Sequence, residues 1–357
     1  MSRSTVAIID REAVAGNLRR VRELAGGARV MAVVKADAYG HGLARCLPAL
    51  LAADLLAVAT LDEAREVREL APDVPLLLLE GVMSSAELEQ VSKLGLEIVV
   101  HCPEQLAWLE RAGRSPSKRL WLKVDSGMHR LGFPLPEVAS VHRRLRVLGG
   151  VEEIVLMTHF ACADQADHPL NRTQIERFDA ATDELEGPRC MANSAALLNL
   201  PVTRRDWVRA GLLIYGASPL PDRDGAALGL APAMTLQTRL MAVNRVAAGE
   251  SIGYGARLRV ERDSRIGVAA IGYGDGYPRN MPDGAPVRVN GTIQPLAGRV
   301  SMDMITIDLT DQPEAGVGDP VVLWGPGLPI ERVARAVGTI PYELMCRVTR
   351  RVPYEPV

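Results

Sequence analysis

The apolar run Val30 to Val34 ends on a lysine, Lys35, which opens the segment Lys35-Ala36-Asp37-Ala38-Tyr39-Gly40-His41-Gly42. An ammonium beside a dry strand needs a strong partner. Without one its pKa falls, and the ε-amine becomes a nucleophile toward carbonyls. Taken alone, the position suits better a lysine whose head reaches back to water. Other apolar runs end in the same way. Lys123 closes Leu120 to Val124 with Arg130 beyond it, His159 follows Ile154 to Met157, Asn193-Ser194 follows Cys190 to Ala192, and Arg209 sits within Val208 to Tyr215.

Two chemistries are open to a lysine of this kind. One is direct amine catalysis, as in a metal-free aldolase. The other is covalent attachment of pyridoxal 5′-phosphate (PLP). PLP also requires a phosphate cradle and a partner for its pyridine nitrogen. The turn Arg209-Ala210-Gly211-Leu212 can supply backbone N–H groups, and Ser194 and Tyr39 can supply hydroxyls. Arg209 facing the ring nitrogen would keep that nitrogen unprotonated and weaken the ring as an electron sink, which suits a brief carbanion caught by a second acid.

The elements that must carry these residues follow from the hydrophobic pattern. Eight short apolar runs, Val30 to Val34, Leu55 to Ala59, Leu76 to Leu79, Ile98 to Val100, Leu120 to Val124, Ile154 to Met157, Cys190 to Ala192 and Val208 to Tyr215, alternate with charged amphipathic segments such as Leu61 to Leu70. Strand and helix repeated eight times predict a closed parallel β/α barrel of the TIM type, with an open doubly wound sheet as the competitor. In such a barrel the reactive residues would gather at the C-terminal rim. From about Ala231 the texture becomes alternating, in Thr235 to Val246, Arg265 to Ile271, Val287 to Ile293 and Met302 to Leu309, and Asn290-Gly291 is a hairpin signal. The expected organisation is a barrel over 1–230, whose first few residues pack with the second domain, and a mainly antiparallel β domain over 231–357. Gly216 to Gly229 reads as the linker.

Bulk composition narrows the function classes. A chain of 357 residues, 48% hydrophobic and 24% charged with a formal charge of −2, lacks the basic excess that nucleic acid or an anionic membrane would attract. Five scattered cysteines form no C-x-x-C pair, so neither a disulfide framework nor a zinc ribbon is indicated and no metal is called for. With no signal-like or spanning segment, a cytoplasmic protein acting on a small molecule is expected. Gly272-Tyr273-Gly274-Asp275-Gly276 lacks dinucleotide-binding spacing, which disfavours an oxidoreductase.

Over essentially its whole length the chain resembles bacterial alanine racemases, PLP enzymes built as a barrel plus a β domain. The resemblance rests on Val33 to Gly42, Lys123 to Gly132, Thr158 to Ala161, Val208 to Gly216, Gly253-Tyr254-Gly255, Gly272 to Arg279, Gly298 to Asp303 and Tyr342-Glu343-Leu344. It implies that Lys35 bonds PLP and handles the α-proton of the D-enantiomer, with Tyr254 as the opposite base for the L-enantiomer. It further implies that Arg209 meets the pyridine nitrogen and that His159 bridges Arg209 toward Tyr254. Phosphate would be held by Tyr39, Ser194, the Gly211 and Leu212 amides and Tyr342, and the substrate carboxylate by Arg130 and the Met302 amide. Lys123 is similar to a lysine often carbamylated, and Asp164, Arg279 and Arg299 look like the polar entrance. A homodimer with shared sites is implied, interconverting L- and D-alanine for peptidoglycan or for alanine catabolism. The alternatives are a PLP racemase of serine or another small amino acid, and a non-catalytic PLP-binding protein. Ala210, Asp37 and Ser301 depart from residues frequent in the family without removing a role.

Overall fold

The structure is a computed structural model that describes residues 4–356. The outermost residues of the two expected domains, 1–3 and 357, lie outside the described residues. Two compact units are present. One holds Leu18–Ala38 and Gly42–Ile214, and the other holds the segment up to Asn17, Tyr39–His41 and the chain from Tyr215 onward.

The first unit is a closed barrel of eight parallel strands: Arg29–Val33, Leu55–Val58, Leu76–Leu78, Glu97–Val100, Arg119–Asp125, Glu153–Met157, Arg189–Cys190 and Trp207–Ala210. Neighbours in sequence pair in order, and Val208 returns to Val30 to close the ring, which eliminates the open sheet. These strands are short β-branched and leucine runs buried on both faces, as a sheet covered by helices requires. The eighth differs from expectation. Its strand stops at Ala210 and Leu212–Tyr215 forms a 3₁₀ turn, because Gly211 N–H turns aside to Ser194 Oγ at 3.0 Å. The helix Leu61–Leu70 forms where its charge pattern predicts and starts at a capping box between Thr60 and Glu63. At the N-terminal end of the barrel, Trp121 and Trp207 meet edge to face at 5.4 Å, with the Arg29 guanidinium 4.1 Å from the Trp207 ring centre.

The second unit is built around Met234–Val246, thirteen residues long, which pairs antiparallel with Val6–Ile9, Pro320–Trp324 and Ser264–Ala269. Two register irregularities along it bend the strand so that successive stretches serve different partners. The hairpin Pro286–Val289 to Thr292–Pro295 turns on Asn290 and Gly291, both with positive φ (47° and 86°), as a type I′ turn demands. The strand expected over Met302 to Leu309 is shorter, Ile305–Asp308, since Ser301 N–H closes a tight turn onto Met304 O at 2.9 Å.

The division between units falls at Ile214/Tyr215, earlier than residue 230. Gly216 to Gly229 is not a linker but part of the β unit, where the buried Glu331 carboxylate accepts from Ser218 N–H at 2.6 Å and from Gly225 N–H at 2.9 Å. The N-terminal strand Val6–Ile9 belongs to this unit too, paired with Met234–Val246 and, in parallel, with Tyr354–Pro356.

Candidate active site

Lys35, Lys123, Arg130, His159 and Arg209 line a single cavity of about 210 Å³ in the barrel unit, together with Glu80. Each is placed by the C-terminal end of a strand. Lys35 and Glu80 stand two residues past the first and third strands, Lys123 lies in the fifth, His159 stands two residues past the sixth, and Arg209 is within the eighth. Arg130 comes from a turn after the fifth strand. There Asp125 Oδ1 accepts from the Gly127 and His129 N–H groups, both at 3.0 Å, and His129 adopts φ 56°. A larger cavity, about 400 Å³, opens between Glu97, Lys118, Arg119, Glu152 and Glu153. Its charges are paired with one another and Lys35 is absent from its walls, so volume alone is a poor guide to the chemistry.

Arg209 is buried and fixed on three sides. Nη1 donates to Cys190 Sγ at 3.1 Å, and Nη2 donates to Thr158 O at 3.1 Å and lies 2.7 Å from His159 Nδ1. A guanidinium only donates, so His159 Nδ1 is the acceptor and the imidazole proton sits on Nε2. Burial first, and then Arg209, Lys123, Arg130 and Lys35, push the His159 pKa well below its usual 6.5, so the ring is neutral. Its backbone is clamped by Gln174, whose Nε2 donates to His159 O at 2.9 Å and whose Oε1 accepts from Ala161 N–H at 3.0 Å. Lys123 is pushed down to about 8, chiefly by burial, then by Arg209, Arg130 and Lys35, with Glu80 opposing.

Directly after Lys35 the backbone is left-handed. Ala36, Asp37, Ala38 and Tyr39 all have φ of 52–53°. Each such residue costs about 1 to 2 kcal/mol when it carries a Cβ, so four in succession persist only because surrounding bonds hold them. Those bonds include Ala38 N–H to Val34 O at 2.9 Å, Leu43 N–H to Asp37 Oδ1 at 2.6 Å and Ala36 N–H to Glu63 Oε1 at 2.8 Å.

Ser194 opens the short helix Ser194–Asn199 behind the Asn193 cap, and its Oγ receives the Gly211 N–H, which brings Ser194 to the turn carrying Gly211 and Leu212. Asp164 lies in the loop beyond His159, with Asn199 Nδ2 donating to the adjacent Ala163 O at 2.9 Å. The remaining expected residues belong to the β unit. There the Tyr39 ring stacks on Tyr215 at 4.9 Å and meets Tyr342 at 5.7 Å, so two of the expected phosphate residues are neighbours. Met302 sits on a loop held by Tyr273 N–H to Ser301 O (3.0 Å) and Gly274 N–H to Met302 O (2.9 Å). A Cβ at Gly272 would come within 2.4 Å of Met302 O, which explains the glycine. Tyr254 is 71% exposed on a turn between Gly253 and Gly255, Arg299 lies against that turn, and Arg279 is exposed. Tyr254, Met302, Tyr342, Arg279 and Arg299 are not among the residues lining the barrel cavity.

Sequence reasoning missed Glu80, Cys190, Thr158 and Gln174. Glu80 was recoverable, because it ends the run Leu76 to Leu79 as Lys35 ends Val30 to Val34. The other three are ordinary buried residues whose importance lies in their contacts.

The donor set fits PLP. Of the five guanidinium N–H groups of Arg209, three point at Cys190, Thr158 and His159, which leaves donors for an unprotonated ring nitrogen. Lys35 supplies an amine within the same cavity, and Ser194 Oγ, which accepts the Gly211 N–H, keeps its own O–H as a donor.

The family model for the alanine racemase N-terminal domain matches residues 9–219, and that for the alanine racemase C-terminal domain matches 233–355. The chain belongs to the alanine racemase family. Alanine racemase of Nitrosococcus oceani is 51% identical over 97% of this chain and 98% of its own. The catabolic and biosynthetic alanine racemases of Pseudomonas aeruginosa are each 48% identical, over 97% and 98% of both chains respectively. The solved structure of the biosynthetic alanine racemase of Pseudomonas aeruginosa aligns with TM-score 0.96 at 47% identity, covering 99% of both chains. Alanine racemase of Bartonella henselae, solved with covalently bound pyridoxal phosphate, aligns with TM-score 0.90 at 28% identity over 99% of each. The matched N-terminal domain spans the barrel strands, and the matched C-terminal domain spans the β strands from Met234–Val246 onward.

Proposed function

We propose that the chain interconverts L-alanine and D-alanine with PLP bonded to Lys35. The observation that carries this reading is the Lys35 amine in one cavity with Arg209, a donor-only guanidinium held 2.7 Å from His159 Nδ1 and suited to an unprotonated pyridine. When bound, PLP supplies an electron-withdrawing system that acidifies the substrate Cα–H bond. Arg209 would face its ring nitrogen, while Ser194, Tyr39, Tyr342 and the Gly211 and Leu212 amides would hold its phosphate.

The remaining work falls to the chain's own groups. Lys35 Nζ takes or gives the α-proton on one face of the substrate, and the Tyr254 phenol does so on the other, so the substrate need not turn over. His159, neutral and protonated on Nε2, offers a donor that stabilises a phenolate, and Arg209 holds its other nitrogen. Arg130 and the Met302 amide orient the substrate carboxylate. Lys123 as a carbamate would set an anion beside Arg130 in place of a cation, and Asp164, Arg279 and Arg299 would form the polar approach.

Tyr254 is 71% exposed and Met302 52% exposed, and a proton donor working in water would lose its stereochemical control. A homodimer in which each copy lends Tyr254 to the other's barrel removes that exposure. Among the described residues no helix is long and apolar enough to cross a membrane. Because the reaction is reversible, such a site suits either D-alanine supply for peptidoglycan or alanine catabolism. Serine, larger by one hydroxyl, is expected to turn over at a reduced rate.

The test is borohydride reduction of purified protein loaded with PLP, followed by peptide mapping, alongside Lys35→Ala assayed for turnover from both enantiomers. Label at Lys35 with activity lost in both directions is expected. Label at another lysine, or none, overturns the reading.

A further inference from the structure

Glu63 makes three bonds that no single local role requires. Its Oε1 accepts the Ala36 N–H at 2.8 Å, and its Oε2 accepts the Ala59 N–H at 2.8 Å and the Thr60 N–H at 3.2 Å. The Thr60 bond belongs to the capping box that starts the helix Leu61–Leu70, completed by Glu63 N–H to Thr60 Oγ1 at 3.3 Å. The Ala36 bond does not. Ala36 is the residue after Lys35 and the first of the four left-handed residues, whereas Ala59 and Thr60 leave the second barrel strand. One carboxylate therefore ties the exits of the first two strands together, at the place where the backbone turns into a conformation that side chains disfavour.

We propose that Glu63 is a positioning residue for Lys35, holding the Ala36 amide so that the chain leaves the first strand with the lysine amine presented to the cavity. The proposal rests on the reading of Lys35 as the PLP-bonding amine. Chemistry favours a carboxylate here, because three N–H donors converge on two oxygens and only an acceptor-only group satisfies all of them. A carboxamide would turn an NH₂ toward one of the donors. An aspartate keeps an acidic residue in the helix's first turn, yet its shorter side chain cannot reach both Thr60 and Ala36.

The experiment compares Glu63→Asp, Glu63→Gln and Thr60→Ala with the parent protein. Thr60→Ala removes the hydroxyl half of the cap and leaves the Ala36 bond intact. Three quantities are read: amide hydrogen exchange at Ala36 in cofactor-free protein, the PLP concentration giving half-maximal borohydride label at Lys35, and thermal unfolding. Expected for both Glu63 variants are Ala36 exchange at least tenfold faster and a half-labelling concentration about tenfold higher. Thr60→Ala should lower the unfolding temperature without changing either of the other two. Unchanged Ala36 exchange in Glu63→Asp overturns the proposal, as do equal effects in Thr60→Ala, which would reduce Glu63 to a helix cap. Absence of label in the parent protein would instead defeat the PLP reading, and the exchange measurement would still decide whether Glu63 holds Ala36.

Discussion

Burial first, and then Arg209, Arg130 and Lys35, bring the Lys123 pKa from 10.5 to about 8, with the Glu80 carboxylate opposing them. At pH 7.5 roughly a quarter of the Lys123 side chains would then be neutral amines, against about one in a thousand for an ordinary lysine, an enrichment on the order of 200-fold. Neutral amine is the form that reacts with CO₂ or any other electrophile. The perturbation is Arg130→Met, which removes one of the three cations, so the Lys123 midpoint should rise. Glu80→Gln removes the opposing charge, and the midpoint should fall. The assay is brief acetylation across pH 6.5 to 11 in CO₂-free buffer, with labelling at Lys123, Lys93 and Lys118 quantified by mass spectrometry. Access alters the absolute rate but not the midpoint, so the partly buried position of Lys123 does not obscure the result. Stability should follow as well. Between about pH 8 and 10.5 the unfolded chain binds the extra proton, so stability rises with pH through that window, by roughly 3 kcal/mol. Lys123→Met should lose this rise. A Lys123 labelling midpoint near 10.5, or one unmoved in both variants, refutes the electrostatic reasoning.

Tyr254→Phe is expected to abolish exchange of the L-alanine α-proton with solvent deuterium while exchange from D-alanine persists. Equal loss from both enantiomers, read by NMR, would remove Tyr254 from its role. Cys190→Ala leaves the buried Arg209 Nη1 without its sulfur acceptor and should lower stability by about 1 to 3 kcal/mol in urea unfolding, with Cys190→Ser restoring most of it. An unchanged midpoint in the alanine variant would show that the contact carries no weight. His159 is held neutral, its pKa well below 6.5, so below about pH 6.5 the unfolded chain binds a proton that the folded one refuses. Stability is therefore lost as pH falls below that value, and His159→Asn should flatten this acid limb in thermal unfolding. A limb of unchanged slope would argue that other groups are responsible.

Much of the site could be read in the chain because barrel geometry converts sequence position into spatial position. A polar residue closing a buried parallel strand lies at one rim, so Lys35, Lys123, His159 and Arg209 could be grouped before any coordinates, and they line one cavity. The residues that hold them could not. Gln174 reaches His159 O from a helix fifteen positions on, Cys190 meets Arg209 across two neighbouring strands, and Glu63 meets Ala36 across twenty-seven residues. None differs in sequence from a typical core or cap residue. The error over Gly216 to Gly229 has the same origin. Its prolines and glycines resemble a linker until Glu331, more than a hundred residues away, is seen to accept its amides.

By itself the sequence determined the repeating strands and helices, the change of texture near Ala231 and the grouping of Lys35, Lys123, His159 and Arg209. These depend on local periodicity and side-chain chemistry. Only the tertiary structure decided that the barrel closes through Val208 and Val30, that Val6–Ile9 pairs with both Met234–Val246 and Tyr354–Pro356, that His159 is a neutral acceptor for Arg209, and that Lys123 is depressed to about 8. Closure, hydrogen-bond direction and desolvation depend on which distant residues become neighbours, and a linear chain does not record that.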